Sequence, residues 1–152
     1  MVYTQEQLKS ELLSLIDKFE DEVVEFKEAT TNYSFKDIGK YFSALSNEAN
    51  LRNKREAWLV FGVTNNRKIV GTEYRKSGSL QSLKKELAAN TNERLTFLEI
   101  YETTLEGKRI VAFQIPPAIP GIPTTWNGAA FAREHESVSP PVSYTHLTLP
   151  TN

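Results

Sequence analysis

Four carboxylates and a lysine fall within Glu20-Asp21-Glu22-Val23-Val24-Glu25-Phe26-Lys27. Two or three carboxylates at the start of a strand can hold a divalent cation such as magnesium or manganese through oxygen ligands, the arrangement metal-assisted phosphodiester hydrolysis requires. If Val23 to Glu28 is a strand, Glu25 and Lys27 share one face, so a metal ligand and a phosphate-facing cation would sit together. Glu20 would approach from the preceding turn. The other reading of the same acids is a solvated cluster at a helix end. A second chemical feature is the basic run Arg52-Asn53-Lys54-Arg55, three cations that can contact phosphates without reading bases; it also reads as an ordinary exposed loop. Arg133, close to the end of a short apolar segment, reads as a surface partner of Glu134 or Glu136.

Charge is distributed unevenly around a net value of −1. Residues 1–30 carry eight acids against three lysines, a balance of −5, while residues 50–85 carry nine bases against two acids, a balance of +7. Such a local basic stretch can serve as a phosphate footprint on a nearly neutral protein. There is no cysteine, which excludes a disulfide framework, a thiolate nucleophile and a cysteine zinc site. Two isolated histidines make no metal pair, no Gly-Lys-Ser/Thr follows Gly62 or Gly71 as a P-loop needs, and no Ser-His-Asp constellation is evident. No apolar run approaches the ~18–20 residues of a membrane span, and the first residues lack a secretory leader. The expected compartment is the cytoplasm.

The elements that must position these residues follow from periodicity. Thr4-Gln5-Glu6-Gln7 is a capping box before Leu8, Leu12, Leu15, Ile16 and Phe19, which predicts an amphipathic helix over about 5–19. Ser34, with Asp37 three residues on, starts a second helix bearing Phe35, Ile38, Phe42, Leu45 and Ala49 on one face; Gly39 within it marks close packing. Ala57 to Val63 is almost wholly apolar and reads as a central strand covered on both faces. Thr64-Asn65-Asn66-Arg67-Lys68 supplies a turn, with Ile69 to Thr72 as the partner strand of a hairpin. Ser77 or Ser79 caps a third helix carrying Leu80, Leu83 and Leu87. Leu95 to Tyr101 and Arg109 to Ile115 form two strands around Glu106-Gly107, the proline-rich stretch 116–123 is a loop, and Ala129 to Arg133 is a last strand closing the sheet. Trp58 reads as core; Trp126 and Phe131 are the better candidates for stacking on bases. The sum is a mixed α/β (α+β) domain with a mixed, mostly antiparallel sheet of about five or six strands and about three flanking helices.

Set beside Tyr41-Phe42-Ser43-Ala44-Leu45-Ser46-Asn47-Glu48-Ala49-Asn50, Ala57 to Val63 and Ile69-Val70-Gly71-Thr72, the acidic segment takes on an order and spacing that resemble the Schlafen-type AlbA-like DNA-binding domain of bacteria. Val111 to Pro116, Gly121-Ile122-Pro123 and Phe131 to Ser137 extend the resemblance, which runs from about Glu20 to Ser137. It implies a mixed sheet flanked by helices, DNA or RNA as ligand, and a place at the N-terminus of a longer regulator or ATPase-like protein, whose downstream domains would be further partners. Some animal members cut RNA with a carboxylate trio, and Glu20 and Glu25 match its first two members. The third acid is expected where this chain has Thr64, Asn65 and Asn66; a carboxamide such as that of Asn65 can ligate a metal through its oxygen but brings no charge. Many relatives carry a Gly-Gly pair near Arg52 to Arg55, where this chain does not. The expected unit is 1–137, with helix 5–19 before a core of 20–137. The tail 138–152 includes Val142 to Asn152, which resembles the translation of a transposon-type sequencing adapter and would lie outside the native protein. Three functions follow as expectations. They are a nucleic-acid-binding module through Lys27, Arg52, Lys54, Arg55 and Arg133; a magnesium- or manganese-dependent nuclease through Glu20, Glu25 and Lys27, with Asn65 at the metal; and a non-catalytic regulatory or interaction domain whose partner is another domain of the parent protein, a homo-oligomer being a separate option.

Overall fold

The computed structural model describes residues 2–17, 23–76, 78–134 and 137–138. The capping box forms as the side-chain chemistry demands. The Thr4 backbone N–H donates to Gln7 Oε1 at 3.0 Å and the Gln7 N–H donates to Thr4 Oγ1 at 3.2 Å, satisfying two N–H groups that a helix start leaves without partners. Helix α1 then runs Gln5–Asp17 and buries Leu8, Leu12 and Leu15. The expected continuation to residue 19, Glu20 and the Ser77 cap lie outside the described residues, as do the histidines and the adapter-like segment 142–152.

Strand β1, Val24–Lys27, lies parallel to β2, Ala57–Phe61. Between them runs α2, Phe35–Leu51, whose N-cap Ser34 accepts from the Asp37 N–H. Strands β3, Glu99–Leu105, and β4, Lys108–Ile115, make a hairpin turned by Glu106 and Gly107, both at positive φ (51° and 74°). Strand β4 pairs antiparallel with β2, giving the sheet order β1-β2-β4-β3. Helix α3, Ser82–Ala88, follows a turn in which the Ser82 N–H donates to Ser79 Oγ at 3.3 Å. After the proline-rich loop come β5, Thr125–Trp126, and β6, Ala129–Ala130, paired with each other, and then β7, Arg133–Glu134, paired with β8, Ser137–Val138.

Alternation along β2 explains the layering. Trp58 and Val60 point to a cluster built with Leu8, Leu12 and Leu15 of α1 and with Val24, Phe26, Ile110 and Ala112. Ala57, Leu59 and Phe61 point the other way, into a cluster with α2, Leu83 and Leu87 of α3, Phe97, Phe113 and Trp126. The sheet is thus covered on both faces, as the apolar run over 57–63 predicts. Each fully buried leucine of α1 contributes about 1.5–3 kcal/mol before chain entropy is counted.

Two expectations are corrected. Ile69 to Thr72 is no strand: Val63 and Ile69 make an isolated bridge, and Val70 and Gly71 N–H groups both donate to the Gly62 carbonyl. The reason is that both edges of β2 are already occupied, by β1 and β4. The last segment does not close the sheet either; β5 to β8 form two separate two-stranded ribbons, and the main sheet has four strands.

Gly39 is where α2 meets Trp126. A β-carbon there would lie 2.2 Å from the indole ring, far inside contact distance. Alanine gains about 1 kcal/mol of helix propensity over glycine, but overpacking a filled site costs about 1–3 kcal/mol or more, and the ring is also held edge-on by Phe35 at 5.4 Å. Gly39→Ala is therefore expected to lower the urea midpoint, and an equal or higher midpoint would show that Trp126 can step aside.

Candidate nucleic-acid interface

Glu25 sits in the middle of β1, facing α2, with its side chain 2% exposed. A carboxylate so placed must be neutralised, since desolvating a lone charge costs several kcal/mol. Lys27, two residues on and therefore on the same face, brings Nζ to 3.6 Å of Oε2. Arg133 brings Nε to 3.1 Å of Oε1. Arg133 also reaches Glu48 on α2 at 3.4 Å, and Glu48 in turn holds Arg52 at 3.3 Å. The result is one ionic row, Lys27–Glu25–Arg133–Glu48–Arg52, running along the C-terminal half of α2. Tyr41 to Arg52 spans about 16 Å of helix at 1.5 Å per residue, and Lys27 lies over the Tyr41 ring at 5.0 Å.

Depth separates the ends of the row from its middle. Glu25 is its most buried member, and Lys27 (24% exposed) and Arg52 (37%) are its most exposed. Burial by itself would lower the Lys27 pKa. The Tyr41 hydroxyl and the Glu25 carboxylate more than offset that, holding it above the ordinary lysine value. A lysine raised in this way contributes stability that is fully present below its unfolded value and is lost only as pH climbs through the folded one, so Lys27 stays cationic through the neutral range.

Arg133 can reach Glu25 only because the segment before it is clamped to α2. Ser43 Oγ donates to the Thr124 carbonyl at 2.8 Å and accepts the Phe131 N–H at 3.0 Å. Asn47 Nδ2 donates to the carbonyls of Thr124 and Phe131, each at 3.1 Å, while its Oδ1 accepts the Thr124 N–H at 2.7 Å. Ser46 and Thr124 share a hydroxyl contact of 2.8 Å. These α2 residues are buried and polar, and their hydrogen-bonding capacity goes to Thr124 and Phe131, which bracket the β5–β6 ribbon just after the proline-rich loop.

The turn after β2 borders the row on its other side. Arg67, at φ 67°, donates through one nitrogen to the carbonyls of Leu15 and Ile16 at 3.0 and 3.2 Å, closing the C-terminal end of α1. A slot of ≈ 20 Å³, room for about one water, is lined by Glu25, Asn65, Arg67 and Arg133. Beyond it opens a cavity of ≈ 470 Å³ lined by Lys27, Glu28, Ala29, Tyr33, Thr64, Asn65 and Asn66. Asn65 lines both.

The structure therefore brings Glu25, Lys27, Asn65, Arg52 and Arg133 into one neighbourhood. Lys54 is half-buried and Arg55 exposed just past Arg52. Among the described residues no three His, Cys, Asp or Glu side chains gather as a metal site. One carboxylate already held by Lys27 and Arg133, with the Asn65 carboxamide and the Arg67 guanidinium beside it, does not fit a divalent cation; Glu20 lies outside the described residues. Sequence reasoning missed Glu48, Ser43, Asn47 and Arg67. The i, i+4 spacing of Glu48 and Arg52 was the available signal for Glu48. Trp126 and Phe131 are both buried, which corrects their reading as stacking platforms.

A family model described as Schlafen, AlbA_2 matches residues 20–142, so α1 precedes the matched segment. No curated protein matches the chain. Among solved structures, the DIP2311 protein from Corynebacterium diphtheriae is similar with a TM-score of 0.53 and 16% identity, over 90% of this chain and 26% of that one. The N-terminal domain of a RecG-related protein from Nitrosomonas europaea is similar with a TM-score of 0.47 and 20% identity, over 91% of this chain and 95% of that one. This chain thus spans about a quarter of the length of the Corynebacterium protein.

Truncating Arg133 would leave Glu25 buried with Lys27 as its remaining cation in the row and free Glu48 from one of its two. Arg133→Ala is expected to cost about 3 kcal/mol in a denaturant titration, the scale for breaking a buried pair. Arg133→Lys should recover only part of it, because an ammonium cannot span two carboxylates as a guanidinium does. A loss within 0.5 kcal/mol, as is usual for about any surface change, would mean the row is not a structural unit.

Proposed function

The chain belongs to the Schlafen AlbA_2 family, and from that premise we propose that it binds nucleic acid by its phosphate backbone along the row ending in Lys27 and Arg52. The observation that carries this reading is the sorting by depth. Glu25 anchors the row from inside, while Lys27 and Arg52 at its two ends are its most exposed side chains. Arg133, Lys54 and Arg55 extend the cationic stretch. Contacts of this kind set affinity and register and carry little base information. The reading extends to the chain as one module of a longer protein, which the 26% coverage of the Corynebacterium chain supports.

A magnesium- or manganese-dependent nuclease is the second reading, favoured by Glu25 and Asn65 lining one slot. It is carried less far, because Arg133 and Lys27 already hold the carboxylate. Shortened products from labelled RNA or DNA in manganese, abolished in Glu25→Gln, would reverse that ranking.

Backbone binding through about three cations gives a log–log salt slope near −3 on duplex DNA, about −0.9 for each phosphate neutralised. Fluorescence anisotropy between 50 and 200 mM salt, concentrations chosen as roughly those over which counterion release is read out, should show that slope. Arg52→Ala combined with Arg55→Ala should flatten it by about one to two and weaken all sequences alike. Affinity indifferent to salt would remove the proposal.

A further inference from the structure

The cavity beside the row has a composition that phosphate contact alone does not explain. Its ≈ 470 Å³ are lined by one ammonium (Lys27), one phenol ring (Tyr33), one hydroxyl (Thr64) and two carboxamides (Asn65 and Asn66), with Glu28 and Ala29 completing the wall. A bare phosphate is served by cations and N–H donors; carboxamide oxygens add acceptors it cannot use. A nucleobase uses all of these, since its edge carries donors and acceptors and its face stacks on aromatic rings. The volume lies within the range of small-molecule pockets, roughly 300–1,000 Å³.

The backbone is shaped to hold this cavity open. Ala29, directly after Glu28 at the end of β1, adopts φ 44°, a left-handed conformation that costs a non-glycine residue about 1 kcal/mol. It is held there by Thr72, whose hydroxyl donates to the Ala29 carbonyl at 2.5 Å, and by the Glu73 N–H donating to the Thr30 carbonyl at 2.8 Å. The reversal returns the chain so that Tyr33 packs on Phe61, ring centroids 4.8 Å apart, while still lining the cavity. Burial, and then the charges of Tyr41, Asp37 and Glu25, push the Tyr33 pKa upward, so the ring carries a neutral hydroxyl and not a phenolate that would repel phosphate. On the opposite wall, the Thr64 to Arg67 turn is closed by the Arg67 N–H to Thr64 carbonyl bond at 2.8 Å. This leaves the Asn65 and Asn66 side chains exposed at the rim.

We propose that this cavity is a subsite for one unpaired nucleotide, its base against Tyr33 and the carboxamides of Asn65 and Asn66 and its phosphate on Lys27, which makes the domain prefer single strands. The inference rests on the nucleic-acid reading above and deepens it. In a duplex each base is stacked and paired, and admitting one would require flipping it out at a cost of about a few kcal/mol. A single strand presents its bases without that cost.

The test compares a labelled single-stranded oligonucleotide with a blunt duplex of the same sequence, by anisotropy with the full chain at fixed salt. The single strand should bind about tenfold tighter, and Tyr33→Ala should bring the ratio of the two affinities down toward one, the stacking of a single base being worth about that much. Because Tyr33 also packs on Phe61, Asn65→Ala with Asn66→Ala on the exposed turn serves as a second variant, with a several-fold fall in the same ratio and a wild-type melting curve. A ratio near one in the wild type, or one that neither variant moves, overturns the subsite and leaves backbone binding standing. No binding of either form overturns both.

Discussion

A carboxylate buried in the middle of a strand imposes demands that reach across the whole chain. Glu25 must lie on β1 to sit between the sheet and α2, and once there it needs countercharge from elements that can be held still. Lys27 comes at no topological cost, because strand alternation puts it on the same face. Arg133 comes from beyond the proline-rich loop, and its arrival requires that the β5–β6 ribbon before it be fixed. Ser43, Ser46 and Asn47 do that by holding Thr124 and Phe131. The same helix admits Trp126 only because Gly39 has no side chain. Charge neutralisation at one buried atom pair thus explains the polar inner face of α2 and the ribbons that follow the sheet.

Local chemistry was legible wherever a residue's partner lay within a few positions. The Thr4–Gln7 box, the Ser34 cap, the Glu106-Gly107 turn and a two-faced strand within the apolar run 57–63 are all short-range or compositional signals, and the structure has each of them, the strand ending at Phe61. The hairpin expected over 57–72 failed for a non-local reason. Turn residues followed by a β-branched run usually mean pairing between neighbours, but β2 is taken on both sides by strands far away in sequence. The last apolar run likewise looked like a sheet strand, and became ribbons because its hydrogen bonds go to α2 and to itself.

The site was legible in its residue types and illegible in its pairing. Glu25, Lys27, Arg52 and Arg133 stand out as charges, and nothing in their spacing says that they form a single row. Ser43 and Asn47 are two among several polar residues of α2 until their partners Thr124 and Phe131 are known. Asn65 was considered as a metal ligand; its place between the slot and the larger cavity is set by the turn that Arg67 pins to the end of α1.

Net charge misleads for a protein built this way. A sum of −1 suggests indifference to a polyanion, yet a charge acts on a ligand in proportion to its exposure and not its presence in the count. Glu25 is spent internally, fixing Arg133 and Lys27 in place, and contributes little field outside. What it provides is preorganisation: cations held by buried acids lose less side-chain entropy when a phosphate arrives than lysines waving on a surface. The cost is attraction, because each acid also offsets part of the cation's pull. On the proposed backbone binding, such a surface gives modest affinity with defined register and leaves discrimination to the proposed subsite beside the row.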